Sequence, residues 1–323
     1  MKLEDVGNIA VLGAGIMGHG IAQTFLLAGY HVALYDVKVE LLDRAQKQIR
    51  ENCELFLESG LMNPGEMERL NFLKKTGDLK DAVEAADFII EAAPEDLSLK
   101  QRLFRQVEDM CSQRSIIASN TSSLMLKDIG ALVNNKGRLV ITHWFNPPHI
   151  VPTVEVVKGE ETTSETMDLV CRLLEKVRKM PIKIQKEIPG FVVNRIQIAM
   201  VREVIDLYEK GIASAEDLDK AVKGSIGFRL ASIGPLLTID LAGVSLWLKV
   251  FENLLPHIRS STEPPRILRE LGAAGHDGIK SGKGFYDYSE NRSIGSVDDA
   301  VKRRDREFLN RLKNLYWQGN TAA

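Results

Sequence analysis

A short apolar run that breaks into three spaced glycines constrains this chain more than any other feature. Asn8-Ile9-Ala10-Val11-Leu12 is rich enough in branched residues for a buried parallel strand. It runs straight into Gly13-Ala14-Gly15-Ile16-Met17-Gly18, and a helical stretch with Ile21, Phe25 and Ala28 follows. After Gly29 comes a second apolar strand, Val32-Ala33-Leu34-Tyr35, which ends on Asp36. The three glycines meet three different steric demands. Gly13 permits the tight exit from the strand, Gly15 lets backbone approach a pyrophosphate, and Gly18 lets the helix pack closely on the sheet. The helix N-terminus offers free N–H groups and a partial positive charge to the phosphates. The turn from Gly13 through Ala14, Gly15, Ile16 and Met17 to Gly18 is therefore predicted to bind a dinucleotide. Asp36 would accept hydrogen bonds from the adenosine ribose and repel a 2′-phosphate, which favours NAD over NADP. FAD shares the fingerprint, but no second flavin-binding signal is present. A glycine turn that merely packs helix on strand is the alternative, and the terminal acid argues against it.

The alternation continues. Helical sequence fills positions 38–58, Pro64-Gly65 breaks it, and another helix is expected beyond. Ala82–Ala86 reads as helical and Asp87–Glu91 as a strand. Further strands are predicted at Ser115–Ala118, Arg138–Thr142, Thr153–Val157 and Pro181–Gln185. Val170, Leu173, Leu174 and Val177 follow the spacing of an amphipathic helix between the last two. Together these predict an α/β fold, a Rossmann-type doubly wound sheet, over residues 1–187. From Pro189 the texture changes to long helical patterns such as Met200, Val204, Leu207 and Tyr208, which predict an all-helical C-terminal domain over 188–323.

Composition narrows the function classes. The formal charge of −2 argues against a broad nucleic-acid surface, which needs an excess of Lys and Arg. Cys53, Cys111 and Cys171 are scattered and odd in number, which suits core positions in a reducing compartment better than disulfides or a metal site. No stretch approaches the roughly 18 apolar residues of a membrane span. Met1-Lys2-Leu3-Glu4-Asp5 does not read as a secretory signal. A soluble, cytoplasmic protein without membrane or nucleic-acid partners is expected.

Polar residues gather where the predicted strands end, and in an open α/β sheet that is where ligands lie. Ser119-Asn120-Thr121-Ser122-Ser123 follows one strand, and His143-Trp144-Phe145-Asn146-Pro147-Pro148 follows the next. Glu155 sits inside the otherwise apolar strand Val154–Val157, where a carboxylate is costly unless paired. His143, twelve residues upstream, is an available partner if the Pro147-Pro148 turn returns the chain beside it. A histidine with a carboxylate behind it suits removal of a hydroxyl proton during hydride transfer to nicotinamide. A structural His–Glu hydrogen bond, a capping role for Ser122 and a turn role for Asn146 are the plainer alternatives.

These residues together resemble the L-3-hydroxyacyl-CoA dehydrogenase family over nearly the whole chain. The resemblance rests on the glycine turn, Ser119–Ser123, His143-x-Phe145-Asn146-Pro147, Glu155, Pro189-Gly190-Phe191-Val192-Val193-Asn194-Arg195, and Gly282-Lys283-Gly284-Phe285-Tyr286. It implies His143 as general base and Glu155 as its orienting partner, with Ser122 and Asn194 near the substrate oxygen. By the same carry-over Glu95, Lys100, Ser122, Asn146 and Lys280 contact NAD. It further implies a 3-hydroxyacyl substrate, a place in fatty acid metabolism and a homodimer formed through the helical domain. Oxidation of a 3-hydroxyacyl-CoA such as 3-hydroxybutyryl-CoA to the 3-keto form is the leading expectation. One departure opens a second. In the acyl-CoA enzymes the helical region after the first βαβ unit ends in basic residues that hold the CoA phosphates, whereas here Glu51–Gly60 carries Glu51, Glu54 and Glu58. Other segments, among them Ala93–Leu97 and Gln185–Glu187, resemble the lambda-crystallin (gulonate 3-dehydrogenase) branch, whose substrates are free hydroxy acids. A CoA-free acid of gulonate or carnitine type is thus the alternative, and a catalytically silent NAD-binding crystallin-like protein the third reading.

Overall fold

The strands form because short apolar runs with no room for a polar face can only be buried on both sides. In the computed structural model, which describes residues 1–288 and 296–317, eight of them make one sheet in the order β3-β2-β1-β4-β5-β6-β7-β8. They are β1 (Asn8–Leu12), β2 (His31–Tyr35), β3 (Leu73–Thr76), β4 (Phe88–Glu91), β5 (Ile116–Ser119), β6 (Leu139–Trp144), β7 (Thr153–Val157) and β8 (Met180–Ile184). Side chains alternate between two apolar layers. Ile9, Val11 and Ile90 face one layer with Phe25, Leu42, Ile49, Phe56 and Val170. Ala10, Leu12 and Ile89 face the other with Phe104, Val107 and Ile129.

The helices of the sheet unit are α1 (Gly18–Leu27), α2 (Val39–Glu58), α3 (Leu79–Val83), α4 (Leu97–Met110), α5 (Leu126–Ile129) and α6 (Ser164–Lys176). On α2 the buried set Leu42, Ala45, Ile49, Cys53 and Phe56 recurs every three or four residues, so a single stripe meets the sheet. Side-chain caps start α4 and α6: Asp96 accepts from the Leu99 N–H at 2.7 Å, and Thr163 accepts from the Thr166 N–H at 3.1 Å. Cys53, Cys111 and Cys171 are free and buried, and burial pushes the Cys53 thiol up to about 12.

Three features differ from the sequence expectation. The segment after Pro64-Gly65 is a 3-10 helix, Pro64–Phe72, and it leads into β3. That strand has no sequence signal, because Leu73-Lys74-Lys75-Thr76 is four residues long and half charged; it is an edge strand paired only with β2. β6 also runs two residues beyond Thr142, so His143 and Trp144 are strand residues.

The sheet departs from uniformly parallel at β7, which is antiparallel to β6. No crossover helix separates them, only the turn Phe145–Pro152, which contains a cis peptide bond before Pro147. Buried Lys179, just before β8, holds this turn: its Nζ donates to the Pro148 carbonyl at 2.7 Å and to the Val151 carbonyl at 2.8 Å.

Contacts divide the chain into two compact units, Met1–Val192 with the segment from Phe308 onward, and Val193–Glu307. The sequence pattern assigns everything beyond 187 to the helical part. Phe308–Trp317 instead belongs with the sheet, because Leu309 and Leu312 are buried in the layer that holds α2. The second unit comprises α7 (Val193–Glu209), α8 (Ala215–Ala221), α9 (Phe228–Leu230), α10 (Pro235–Ala242), α11 (Val244–Leu254), α12 (Arg266–Ala273) and most of α13 (Val297–Arg311). Among the described residues no single helix is long and apolar enough to cross a membrane.

Lys179 gives the fold a pH signature. Burial pushes its ammonium down from 10.5 to about 7, while in the unfolded chain it keeps its proton until about 10. Between these values the unfolded state binds the extra proton, so stability rises with pH across that window. Urea unfolding at pH 7, 8 and 9 should show the wild type gaining roughly 1–2 kcal/mol relative to Lys179→Met; parallel pH profiles would contradict the assignment.

Candidate active site

The glycine turn lies where β1 stands between β2 and β4, the point at which the strand order reverses. Gly13 has φ +112°, and a Cβ there would stand 2.6 Å from the Ala92 carbonyl oxygen. A Cβ on Gly18 would come within 1.7 Å of the Gly13 carbonyl oxygen, so α1 can begin this close to the sheet only without a side chain. Gly15 is different, because its missing Cβ faces open space. Open backbone at a helix N-terminus is what a pyrophosphate needs. At the end of β2, Asp36 is half-buried; its Oδ2 accepts from the Ala14 N–H at 2.8 Å and its Oδ1 from the Lys38 N–H at 2.9 Å. Each oxygen keeps a further lone pair for a ribose hydroxyl. The residues present thus fit a dinucleotide, with Ile16 exposed and Met17 leading into α1.

Beside the turn, the ends of β4 and β5 carry a buried ionic network that is only partly visible in the sequence. Glu91 is wholly buried, receiving Lys100 Nζ at 2.5 Å, Ser119 Oγ at 2.6 Å and the Ala93 N–H at 2.6 Å. Lys100 also lies 3.3 Å from Glu95 Oε2. Glu95 Oε1 gathers the loop after β5, accepting from Thr121 Oγ1, from Ser123 Oγ at 3.0 Å and from the Ser122 N–H at 3.2 Å. Burial opposes ionisation of Glu95, but those hydrogen bonds and the Lys100 charge outweigh it and hold the carboxyl below the usual range. Lys100 is therefore enclosed between two carboxylates, and Ser122 is exposed on a loop that Glu95 fixes. A carboxylate closing an apolar strand, as Glu91 does, is the available signal; its partner nine residues on, Lys100, stands out only through the family resemblance.

The antiparallel register places His143 directly opposite Glu155. The His143 Nδ1 to Glu155 Oε2 distance is 2.7 Å, and Glu155 Oε1 accepts from the Val192 N–H at 2.9 Å. Both side chains are buried. With Nδ1 donating to the carboxylate, Nε2 is the ring nitrogen able to take a proton. Phe145 stands edge-on to the imidazole at 4.6 Å and fully buried Phe191 lies 5.5 Å away, so the ring is clamped between aromatic neighbours. Phe191 has φ +48°, a left-handed backbone that nothing in the sequence signals.

The remaining expected residues stand elsewhere. Asn146 is exposed on the turn beyond β6, while Asn120, at the end of β5, anchors that region by accepting the Trp144 N–H at 2.9 Å. In the second unit, Asn194 is half-buried in the first turn of α7, and Lys280 is exposed and ion-paired with Asp277 at 3.3 Å.

The two inner glycines separate packing from binding. Gly18→Ala should destabilise the protein by about 3 kcal/mol or more, since backbone must move to admit the methyl group. Gly15→Ala should leave the unfolding midpoint nearly unchanged and weaken NADH binding roughly tenfold or more. Denaturant unfolding and NADH fluorescence titration of both variants check this, and equal effects on stability would contradict it.

Comparison with known proteins accords with this geometry. The family model described as 3-hydroxyacyl-CoA dehydrogenase, NAD binding domain, matches residues 8–188, and its C-terminal domain counterpart matches residues 190–288. A probable 3-hydroxybutyryl-CoA dehydrogenase of Bacillus subtilis is 35% identical over 90% of this chain and 100% of that protein. L-carnitine dehydrogenase of Streptomyces griseus is 33% identical over 96% of this chain and 90% of its own length. A 5-formyl-3-hydroxy-2-methylpyridine 4-carboxylate 5-dehydrogenase of Mesorhizobium japonicum is 33% identical over 89% of this chain and 93% of that protein. A crystal structure of an enzyme of that kind, described as an NAD+ dependent dismutase, matches with a TM-score of 0.88 at 32% identity, covering 96% of this chain and 98% of the other. With both domain models matched in order and relatives aligned over most of their length, this NAD-dependent dehydrogenase belongs to the 3-hydroxyacyl-CoA dehydrogenase family.

Proposed function

We propose that the chain oxidises a CoA-free 3-hydroxy carboxylic acid to its 3-keto form. The observation that carries this reading is the covering of the end of α2. In acyl-CoA members that region supplies cations for the CoA phosphates; here it carries Glu51, Glu54 and Glu58. The segment after Phe308 lies on it. Trp317 meets Phe56 edge-on at 6.1 Å, Lys313 Nζ donates to the Ser59 carbonyl at 3.0 Å, and Leu309 and Leu312 are buried against the same layer. The cation that Lys313 brings to the end of α2 is thus held by a backbone oxygen, and like charge opposes a phosphate there.

In this reading bound NAD supplies the hydride acceptor, held by Gly13–Gly18 and Asp36. His143 Nε2 takes the proton of the substrate hydroxyl as the hydride leaves. Glu155 keeps the imidazole in the required tautomer and offsets the charge that the ring acquires, at 2.7 Å in a buried setting. Ser122 hydrogen-bonds the reacting oxygen, and Glu95 orders the loop on which Ser122 stands.

Initial rates decide the substrate. A panel of free 3-hydroxy acids should give a kcat/KM about a hundredfold above that of 3-hydroxybutyryl-CoA, and the reverse preference would sink the CoA-free reading. On the best substrate, His143→Gln should lower kcat by roughly a thousandfold or more while NADH affinity stays within about twofold. Near-normal turnover in that variant would remove His143 from the mechanism.

The second unit exposes Phe228, Leu236, Leu241 and Val244. An apolar surface of this kind supports homodimerisation through the helical domain. Leu241→Asp should shift the protein from dimer to monomer in light scattering, whereas an unchanged mass would place the contact elsewhere.

A further inference from the structure

The first unit contains a cavity of about 230 Å³ that the proposed reaction does not use. None of His143, Glu155, Ser122 or the glycine turn lines it. Leu27, Phe56, Met62 and Val177 form apolar wall, and Trp317 lies alongside. Donors outnumber acceptors among the polar groups around it: Arg69, Lys176, Arg178, Lys179 and Trp317 only donate, Glu66 accepts, and Gln23, Thr24 and His149 can do either. Gln23 is fully buried; its Oε1 accepts from Asn52 Nδ2 at 2.9 Å, but its Nε2 has no hydrogen-bond partner among the described residues. The same holds of buried Trp317 Nε1. Lys176 and Arg178 line the same space from exposed positions. Lys176 lies over the Tyr30 ring at 5.3 Å and Arg178 over the Trp317 ring at 5.0 Å. Neither makes an ion pair with a carboxylate among the described residues. Glu66, the acid on the lining, is already held by Arg69 at 2.7 Å.

Arg178 has φ +61° directly after α6, a left-handed position at which helices ordinarily place glycine. A long cation is therefore kept where a smaller residue would fit the backbone better, and it is set against the cavity's aromatic wall. Buried N–H donors without an acceptor among the described residues suit a ligand that brings one, and two cations that form no ion pair among those residues suit a negative charge at the opening. Apolar and aromatic walls specify the rest of the ligand. A cavity of about 150 Å³ accommodates benzene, so this one has room for a ring with one carboxylate.

We propose that this cavity is a second small-molecule site, selective for a monocyclic aromatic carboxylate. Benzoate is the probe and benzamide its uncharged counterpart, each titrated calorimetrically into the full-length protein. Benzoate should bind about tenfold tighter than benzamide or better, and should do so equally in saturating NADH. Arg178→Gly, which suits the left-handed backbone, and the surface change Lys176→Gln should each weaken benzoate about fivefold or more with NADH affinity unchanged. Equal affinity for the two probes would overturn the proposal. So would benzoate binding unaffected by both variants, or benzoate displaced by NADH.

Discussion

A fully buried carboxylate has to be answered by its surroundings, and the organisation of this sheet around Glu155 is that answer. Removing such a group from water costs several kcal/mol unless its oxygens are paired. One oxygen is met by His143 and the other by the Val192 N–H. The first contact requires β7 to return antiparallel to β6 in one register, because a slip of one residue would turn Glu155 to the opposite face. That return in turn requires the tight turn Phe145–Pro152, which Lys179 ties down through two carbonyls. The second contact fixes the chain as it leaves the sheet unit, at Phe191-Val192. The pairing of His143 with Glu155 and the pairing of the two strands are here the same constraint.

Much of this is legible in the residues. The glycine turn points to a dinucleotide through its spacing after a strand, and Gly13 and Gly18 meet close backbone approaches that a side chain would not allow. Glu155 inside an apolar strand announces a partner, and His143 is the group within reach. β3 is illegible because its pairing to β2, not its composition, makes it a strand. Glu91 escapes notice because a strand-terminal acid reads as solvent-facing, whereas Lys100, Ser119 and Ala93 enclose it. The positive φ of Arg178 belongs to the turn that ends α6, where the Lys179 N–H donates to the Leu174 carbonyl at 2.9 Å, and that of Phe191 to a turn in which its N–H donates to the Ile188 carbonyl at 3.1 Å; neither side chain is of the kind that signals such a backbone.

The same net charge is compatible with very different substrates, and its placement discriminates between them. Acids stand at the end of α2, while Lys176 and Arg178, without an ion pair among the described residues, line the cavity that Phe56 of the same helix walls. The terminal segment shapes both regions. Lys313 and Trp317 cover the end of α2, and Trp317 also supplies an aromatic wall to the cavity. This length of chain lies beyond the two matched domain models.

The borders of the sheet have a consequence for assembly. At one border β3 is four residues long and presents Lys74 and Lys75; at the other β8 contains Pro181 and the exposed Lys183. Short length, lysine and proline are each poor templates for a further strand. The eight-stranded array is in this sense self-terminating. Growth into open-ended fibrils by strand addition is discouraged at both margins.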